Sequence, residues 1–181
     1  MSILNIEIKA RSDDPDRIRK ILKEQKANFK GKDHQIDTYF KVPEGRLKLR
    51  QGNIEQNLIF YRRSNAKGPK SSDIDLVPVE HPEALHQLLV HALGSKIVVD
   101  KQREIYFIDN VKFHIDEVKE LGNFVEIEAI DEDGSIGKDM LNKQCRKFMK
   151  LLRITKDQLI AKSYSDLLIA KENSGNAPMS C

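Results

Sequence analysis

Arg46-Leu47-Lys48-Leu49-Arg50-Gln51 alternates a cation with a leucine until its last residue. Side chains along a β-strand point alternately to opposite faces, so this stretch reads as a strand with one leucine face and one positive face. Turn signals bound it, Pro43-Glu44-Gly45 before and Gly52-Asn53 after. Upstream, Gln35 to Val42 reads as a strand. Downstream, Asn57 to Ser64 is a strand with Tyr61 and Arg63 on one face. A loop over Asn65 to Lys70 contains Gly68-Pro69, and Asp73 to Val79 is a further strand. At the start of the chain, Ile3 to Ala10 puts Asn5, Glu7 and Lys9 on one face and Leu4, Ile6 and Ile8 on the other. Later come Ile97 to Asp109, Val111 to Leu121 and Phe124 to Asp131, joined by links short enough for antiparallel hairpins.

Helical patterns separate these strands. Ser12-Asp13-Asp14-Pro15 starts one that runs to about Asn28. Pro82 to Leu93 carries Leu85, Leu88, Leu89 and Ala92 at helical spacing and stops at Gly94. Ser135 to Leu152 has Met140, Leu141, Cys145, Phe148 and Met149 on its apolar side, which marks them as core. Thr155 to Ala170 is read as one helix, with Thr155 and Gln158 as its capping box. About eight mostly antiparallel strands with inserted and C-terminal helices make an α+β fold whose sheet is closed or nearly closed. Residues 1–171 are read as a single domain and 172–181 as a disordered tail.

Composition sets limits on function. The 181 residues are 39% hydrophobic and 33% charged, with a net charge of +3. A near-neutral balance with interleaved acids argues against an exposed nucleic-acid-binding stripe. No apolar run reaches the roughly 18 residues of a membrane helix. Met1-Ser2-Ile3-Leu4-Asn5 is no signal peptide, and the two cysteines, Cys145 and Cys181, form no metal motif. A cytoplasmic protein is expected, without membrane or nucleic-acid partners, and a homodimer is compatible with these features.

The charges are segregated by strand. Arg46, Lys48 and Arg50 share a face, as do Lys101 and Arg103, while Glu126 and Glu128 share a later one and His114 stands in parity with Asp116. On any single strand this is an ordinary solvated face. If all these faces turn inward, like charges repel unless a polyanion and a divalent cation lie between them. The cations suit a phosphate chain, and Glu7, Asp116, Glu126 and Glu128 offer hard oxygens for Mg²⁺ or Mn²⁺. That is a two-sided clamp for a triphosphate. Of the histidines, His34, His81, His86 and His91 are read as surface residues.

At these residues the sequence resembles the CYTH superfamily, the triphosphate tunnel metalloenzymes, and within it the class IV adenylyl cyclase group. The resemblance is carried by Asn5 to Ala10, Asp37-Thr38-Tyr39-Phe40, Gly45 to Arg50, Leu58 to Arg63, Gly68-Pro69-Lys70-Ser71, Lys101-Gln102-Arg103, His114-Ile115-Asp116 and Leu121 to Glu128, in family order. It implies an eight-stranded antiparallel β-barrel, the triphosphate tunnel. It implies Glu7, Glu126 and Glu128 as ligands of Mg²⁺ or Mn²⁺. It implies Lys9, Lys48, Arg50, Arg63, Lys70, Lys101 and Arg103 as phosphate contacts, with Arg62 the alternative to Arg63. Lys9, Arg50 and Asp116 are the residues implied for catalysis. The implied substrates are ATP, cyclised to cyclic AMP and pyrophosphate, or tripolyphosphate, a nucleoside triphosphate or thiamine triphosphate, hydrolysed by water. One position departs from the pattern. Where the family opens with Glu-x-Glu-x-Lys, this chain has Asn5, a neutral oxygen that weakens a metal site. A non-catalytic nucleotide or polyphosphate binder is the alternative that Asn5 motivates.

Overall fold

The computed structural model of the chain describes residues 3–63 and 65–175. Eight strands form it: β1 (Ile3–Arg11), β2 (Asn28–Phe40), β3 (Arg46–Gln51), β4 (Gln56–Arg63), β5 (Lys70–Pro78), β6 (Ser95–Ile108), β7 (Val111–Val118) and β8 (Gly122–Asp131). They close into a barrel in the order β1-β5-β4-β3-β2-β6-β7-β8, every neighbouring pair antiparallel. Helices α1 (Pro15–Glu24), α2 (Pro82–Leu93), α3 (Lys138–Leu151) and α4 (Tyr164–Gly175) are inserted or appended, with a 3-10 turn at Lys156–Gln158. The α+β class and the closed antiparallel sheet are those expected from the strand pattern. Among the described residues no helix is long and apolar enough to cross a membrane.

The wall sorts its residues by strand parity, and the apolar face is the outer one. Ile6 and Ile8 of β1, Val111, Phe113 and Ile115 of β7, and Val125 and Ile127 of β8 pack outward. Ile18 and Leu22 of α1 and Leu141, Cys145 and Phe148 of α3 cover them in one buried core. Each such side chain stabilises the fold by about 1.5–3 kcal/mol when removed from water, which holds the helices against the wall. A smaller apolar cluster lies inside. Tyr39, Tyr61, Val99, Val118 and Phe124 meet Tyr164 and Leu168 of α4 there. These barrel residues lie at one end of their strands, so α4 closes that end.

Several boundaries differ from the sequence reading. α1 stops at Glu24, well before Asn28, because Lys26 takes a positive φ of 55° and the Ala27 N–H returns to the Leu22 carbonyl. β2 then begins at Asn28, where pairing with Phe107 of β6 holds it extended. Lys70 to Ser72, expected partly in a loop, pair with Glu7 to Asn5. α3 starts at Lys138 because the Asp131 carboxylate accepts the N–H groups of Gly134, Ile136 and Gly137 and so holds residues 132–137 as a loop. Met140, expected as core, is 50% exposed because the buried stripe of α3 runs through Leu141, Cys145 and Phe148, and Leu88 on α2 is 62% exposed.

The largest difference is at the C-terminal side. The Thr155 capping box forms, but the helix lasts a single 3-10 turn. Beyond β5's first residue, β1 has a free edge, and the Ile160 N–H donates to the Lys9 carbonyl while Leu159 bridges Ala10. This pulls the segment extended. Helix α4 starts afresh with a second capping box, in which Ser163 Oγ accepts from the Asp166 N–H and Asp166 accepts from the Ser163 N–H. It runs through residues 172–175, expected to lie in the tail; residues 176–181 are outside the described residues.

Candidate active site in the barrel lumen

The inward faces of the strands are the charged ones. Glu7 and Lys9, Asp37, Lys48 and Arg50, Arg63, Lys101 and Arg103, Lys112 and His114, and Glu126 and Glu128 surround one cavity of about 140 Å³. Alternation put each of these on a common face within its own strand; closure brings the faces together.

On one wall a single carboxylate holds three cations. Asp37 accepts Lys48 Nζ at 2.9 Å, Lys101 Nζ at 2.8 Å and both Nε and Nη2 of Arg50 at 2.9 and 3.0 Å. Burial opposes the charge on Asp37, but Arg50, Lys101 and Lys48 outweigh it and hold the carboxyl well below the usual range. The cations are in excess, and burial pushes the Lys101 ammonium down to about 7 despite Asp37. Glu55 closes the group toward the open end, accepting Arg50 Nη1 at 2.7 Å and Lys112 Nζ.

Glu55 reaches this position through the β3–β4 turn. Buried Asp33 accepts the N–H groups of Asn53, Ile54 and Glu55 at 2.6, 2.9 and 3.1 Å. The chain runs so close there that a Cβ on Gly52 would meet the Glu55 carbonyl oxygen at 2.6 Å.

The acids gather on the β1, β7 and β8 wall. Glu126 accepts Lys9 Nζ at 3.1 Å and Arg103 Nη2 at 2.8 Å, and lies 3.1 Å from His114 Nδ1. Burial opposes its ionisation, but Lys9 and Arg103 hold it well below the usual carboxylate range. His114, Glu126 and Glu128 each place one ligand atom within 4.8 Å of the others. Glu7 is the cross-strand partner of Glu128, and Arg63 pairs with one oxygen of its carboxylate. Arg103 also forks onto Asp116, which accepts the Tyr164 hydroxyl at 2.7 Å. The Tyr164 ring in turn lies 3.6 Å below Lys9 Nζ. The plug helix is thus wired into the site.

The CYTH domain model matches residues 4–164. The chain belongs to the CYTH family. It is 31% identical, over 91% of its length and 98% of the other chain, to a Methanocaldococcus jannaschii protein whose name assigns it provisionally to the adenylate cyclases. A solved Pyrococcus horikoshii structure superposes with a TM-score of 0.79 at 24% identity, covering 90% of this chain and 98% of that one. A Hippeastrum structure superposes with a TM-score of 0.62 at 14% identity, covering 96% of each; its description names a provisional adenylyl cyclase with a dominant triphosphatase activity. These two likenesses speak for the fold.

Of the residues that the CYTH resemblance singles out, Glu7, Lys9, Lys48, Arg50, Arg63, Lys101, Arg103, Glu126 and Glu128 line the cavity. Arg62 points away and pairs loosely with Glu44 on the surface, so strand parity selects Arg63. Lys70 is 4% exposed and spends a hydrogen bond on the Ala161 carbonyl; burial, with Arg63 and Lys9 nearby, pushes its ammonium down to about 7. Asp116 is fully buried behind Arg103 and Tyr164. Arg46, on the same face as Lys48 and Arg50, is drawn to Asp166 of α4 at 2.8 Å. Sequence reasoning passed over Glu55, Lys112 and Tyr164. Lys112 shares the parity of His114 and Asp116 and was within reach of that reading. Glu55 and Tyr164 depend on a turn and a plug that no strand pattern announces.

Proposed function

We propose that this CYTH protein is an enzyme that holds a triphosphate in the lumen together with Mg²⁺ or Mn²⁺. The observation that carries this is the convergence of Lys48, Arg50 and Lys101 on the Asp37 carboxylate, with Glu55 taking a further bond from Arg50, opposite a wall where Glu126 and Glu128 share a ligand cluster. A phosphate chain supplies the anions the first wall lacks, with Arg50 as a fork and the lysines as point charges. The donors fit a divalent cation: Glu126 and Glu128 are hard oxygen ligands, close enough to share one ion. A cation held there would neutralise phosphate oxygens and polarise the phosphorus centre. Arg63 pairs with one oxygen of Glu7, which leaves the other to join Glu126 and Glu128. Lys9 and Arg50 stabilise charge on the reacting phosphoryl group and the leaving group, as phosphoryl transfer requires. Asp116 acts through Arg103, fixing its fork, and is a positioning residue.

The family relatives support either of two outcomes at this site, cyclisation of ATP or hydrolysis of a triphosphate. Incubation with ATP or tripolyphosphate, with Mg²⁺ or Mn²⁺, followed by product analysis separates them. Cyclic AMP with pyrophosphate assigns a cyclase; orthophosphate assigns a hydrolase. Asn5, buried and with Oδ1 unpartnered, favours a second reading, a non-catalytic binder. Tight binding without any metal-dependent product would establish that reading in place of the enzyme.

A further inference from the structure

One imidazole shares the space of the two glutamates. His114 is directly opposite Glu126 in the β7–β8 register, and Glu128 is the next inward residue along β8. Its Nδ1 is 3.1 Å from Glu126 Oε2 and 3.7 Å from Glu128 Oε1. The side chain is 1% exposed, and its Nε2 is buried without a hydrogen-bond partner. Lys9 and Arg103 already bond Glu126, one on each oxygen. Nδ1 of this buried ring, set against both carboxylates, is placed to share an ion with Glu126 and Glu128.

We propose that His114 is a nitrogen ligand of the cation site and biases it from Mg²⁺ toward Mn²⁺ and later first-row ions. This rests on the reading above, in which a cation is held by Glu126 and Glu128. Mg²⁺ strongly prefers oxygen donors and dehydrates reluctantly, whereas an imidazole nitrogen favours transition ions along the Irving–Williams series. With two carboxylates and one imidazole, the donor set is softer than an all-carboxylate site. Ion choice then follows from a residue on β7, outside the three glutamates of the sequence pattern.

The test is pulsed electron paramagnetic resonance of Mn²⁺ bound to tag-free protein, with and without tripolyphosphate, in natural abundance and after ¹⁵N-histidine labelling. Among the described residues His114 is the one histidine that lines the cavity, so a histidine nitrogen coupling on Mn²⁺ reports it in the wild-type chain. The expected result is an imidazole ¹⁴N modulation that is replaced by ¹⁵N lines on labelling. His114→Gln keeps an amide donor for Glu126; it should lose the modulation and weaken Mn²⁺ binding about 10-fold or more, with a smaller effect on Mg²⁺. If His114 only orients Glu126, the glutamine variant retains the Mn²⁺ over Mg²⁺ preference, which overturns the proposal. Bound Mn²⁺ without nitrogen modulation overturns it too, while the Glu126–Glu128 site stands. Absence of bound Mn²⁺ under both conditions overturns the ligand and the cation reading together.

Discussion

Asp37 is the residue on which the charge balance of the lumen depends. It pairs with Lys48, Arg50 and Lys101 through one carboxylate, and among the described residues only Arg50 has a second carboxylate partner, Glu55. Removing one partner of a buried ionic group leaves charges unpaired and costs about 3–5 kcal/mol. Asp37→Asn should lower the melting temperature accordingly, and tripolyphosphate, by replacing the lost anion, should restore much of it in the same thermal scan. The two glutamates of β8 differ in a similar way. Glu126 is bonded by Lys9 and Arg103, whereas Glu128 is approached only by His114 among the ion pairs of the described residues. Glu128→Gln should therefore reduce turnover about 10- to 100-fold or more at nearly unchanged stability, while Glu126→Gln should reduce both. Equal melting temperatures for the two variants would contradict this division.

Lys101 is one source, with Lys70, of a pH dependence near neutrality. Its ammonium titrates at about 7 in the fold, against an ordinary 10.5. Between these values the unfolded chain holds a proton that the folded chain lacks, so stability rises with pH across that window, and below about 7 the full cost of burying the charge is present. Ligand binding has the opposite sign. A polyphosphate favours the protonated lysine, so affinity should fall as pH rises above 7. Calorimetry at pH 8 in buffers of differing protonation heat should show more proton uptake on tripolyphosphate binding by the wild type than by Lys101→Met.

At the scale of elements, two short segments decide how well the charged faces are used. The β3–β4 turn delivers Glu55 to Arg50 and Lys112 only because Asp33 accepts three of its backbone N–H groups. Asp33→Ala leaves buried donors unsatisfied, each costing about 1–3 kcal/mol. Hydrogen exchange should then accelerate at Asn53, Ile54 and Glu55 before the rest of the barrel is affected. The segment from Thr155 shows how local and tertiary signals compete. Its capping box was legible and forms, yet backbone pairing to Lys9 and Ala10 outweighs helix propagation after one turn. The true start of α4, Ser163-Tyr164-Ser165-Asp166, carried its own capping signature in the sequence. Reading one helix across both hid it, and with it Tyr164's place in the lumen.

Across the whole molecule, the closed sheet has its apolar core outside and its charges inside. Such a lumen is stabilised by whatever anion and cation fill it. Tripolyphosphate with Mn²⁺ should raise unfolding free energy by about 2.7 kcal/mol at a hundredfold excess over Kd. A thermal shift equal to that given by orthophosphate at the same concentration would speak against a site built for a chain of phosphates.

The sequence alone determined which side chains share a face, because the two-residue period of an extended backbone is set by covalent geometry. Arg46 to Gln51, Glu7 with Lys9, and Glu126 with Glu128 were readable for that reason; the strand pattern gave a mostly antiparallel sheet, closed or nearly closed, and the CYTH resemblance implied the eight-stranded barrel. Which charge meets which was decided only by the folded chain. Glu7 faces Arg63, Asp116 meets Tyr164, and His114 joins Glu128 through register, barrel closure and the docking of α4. Those pairings join residues on different strands or on a docked helix, and the energies that select them arise only once water has been excluded from between the walls.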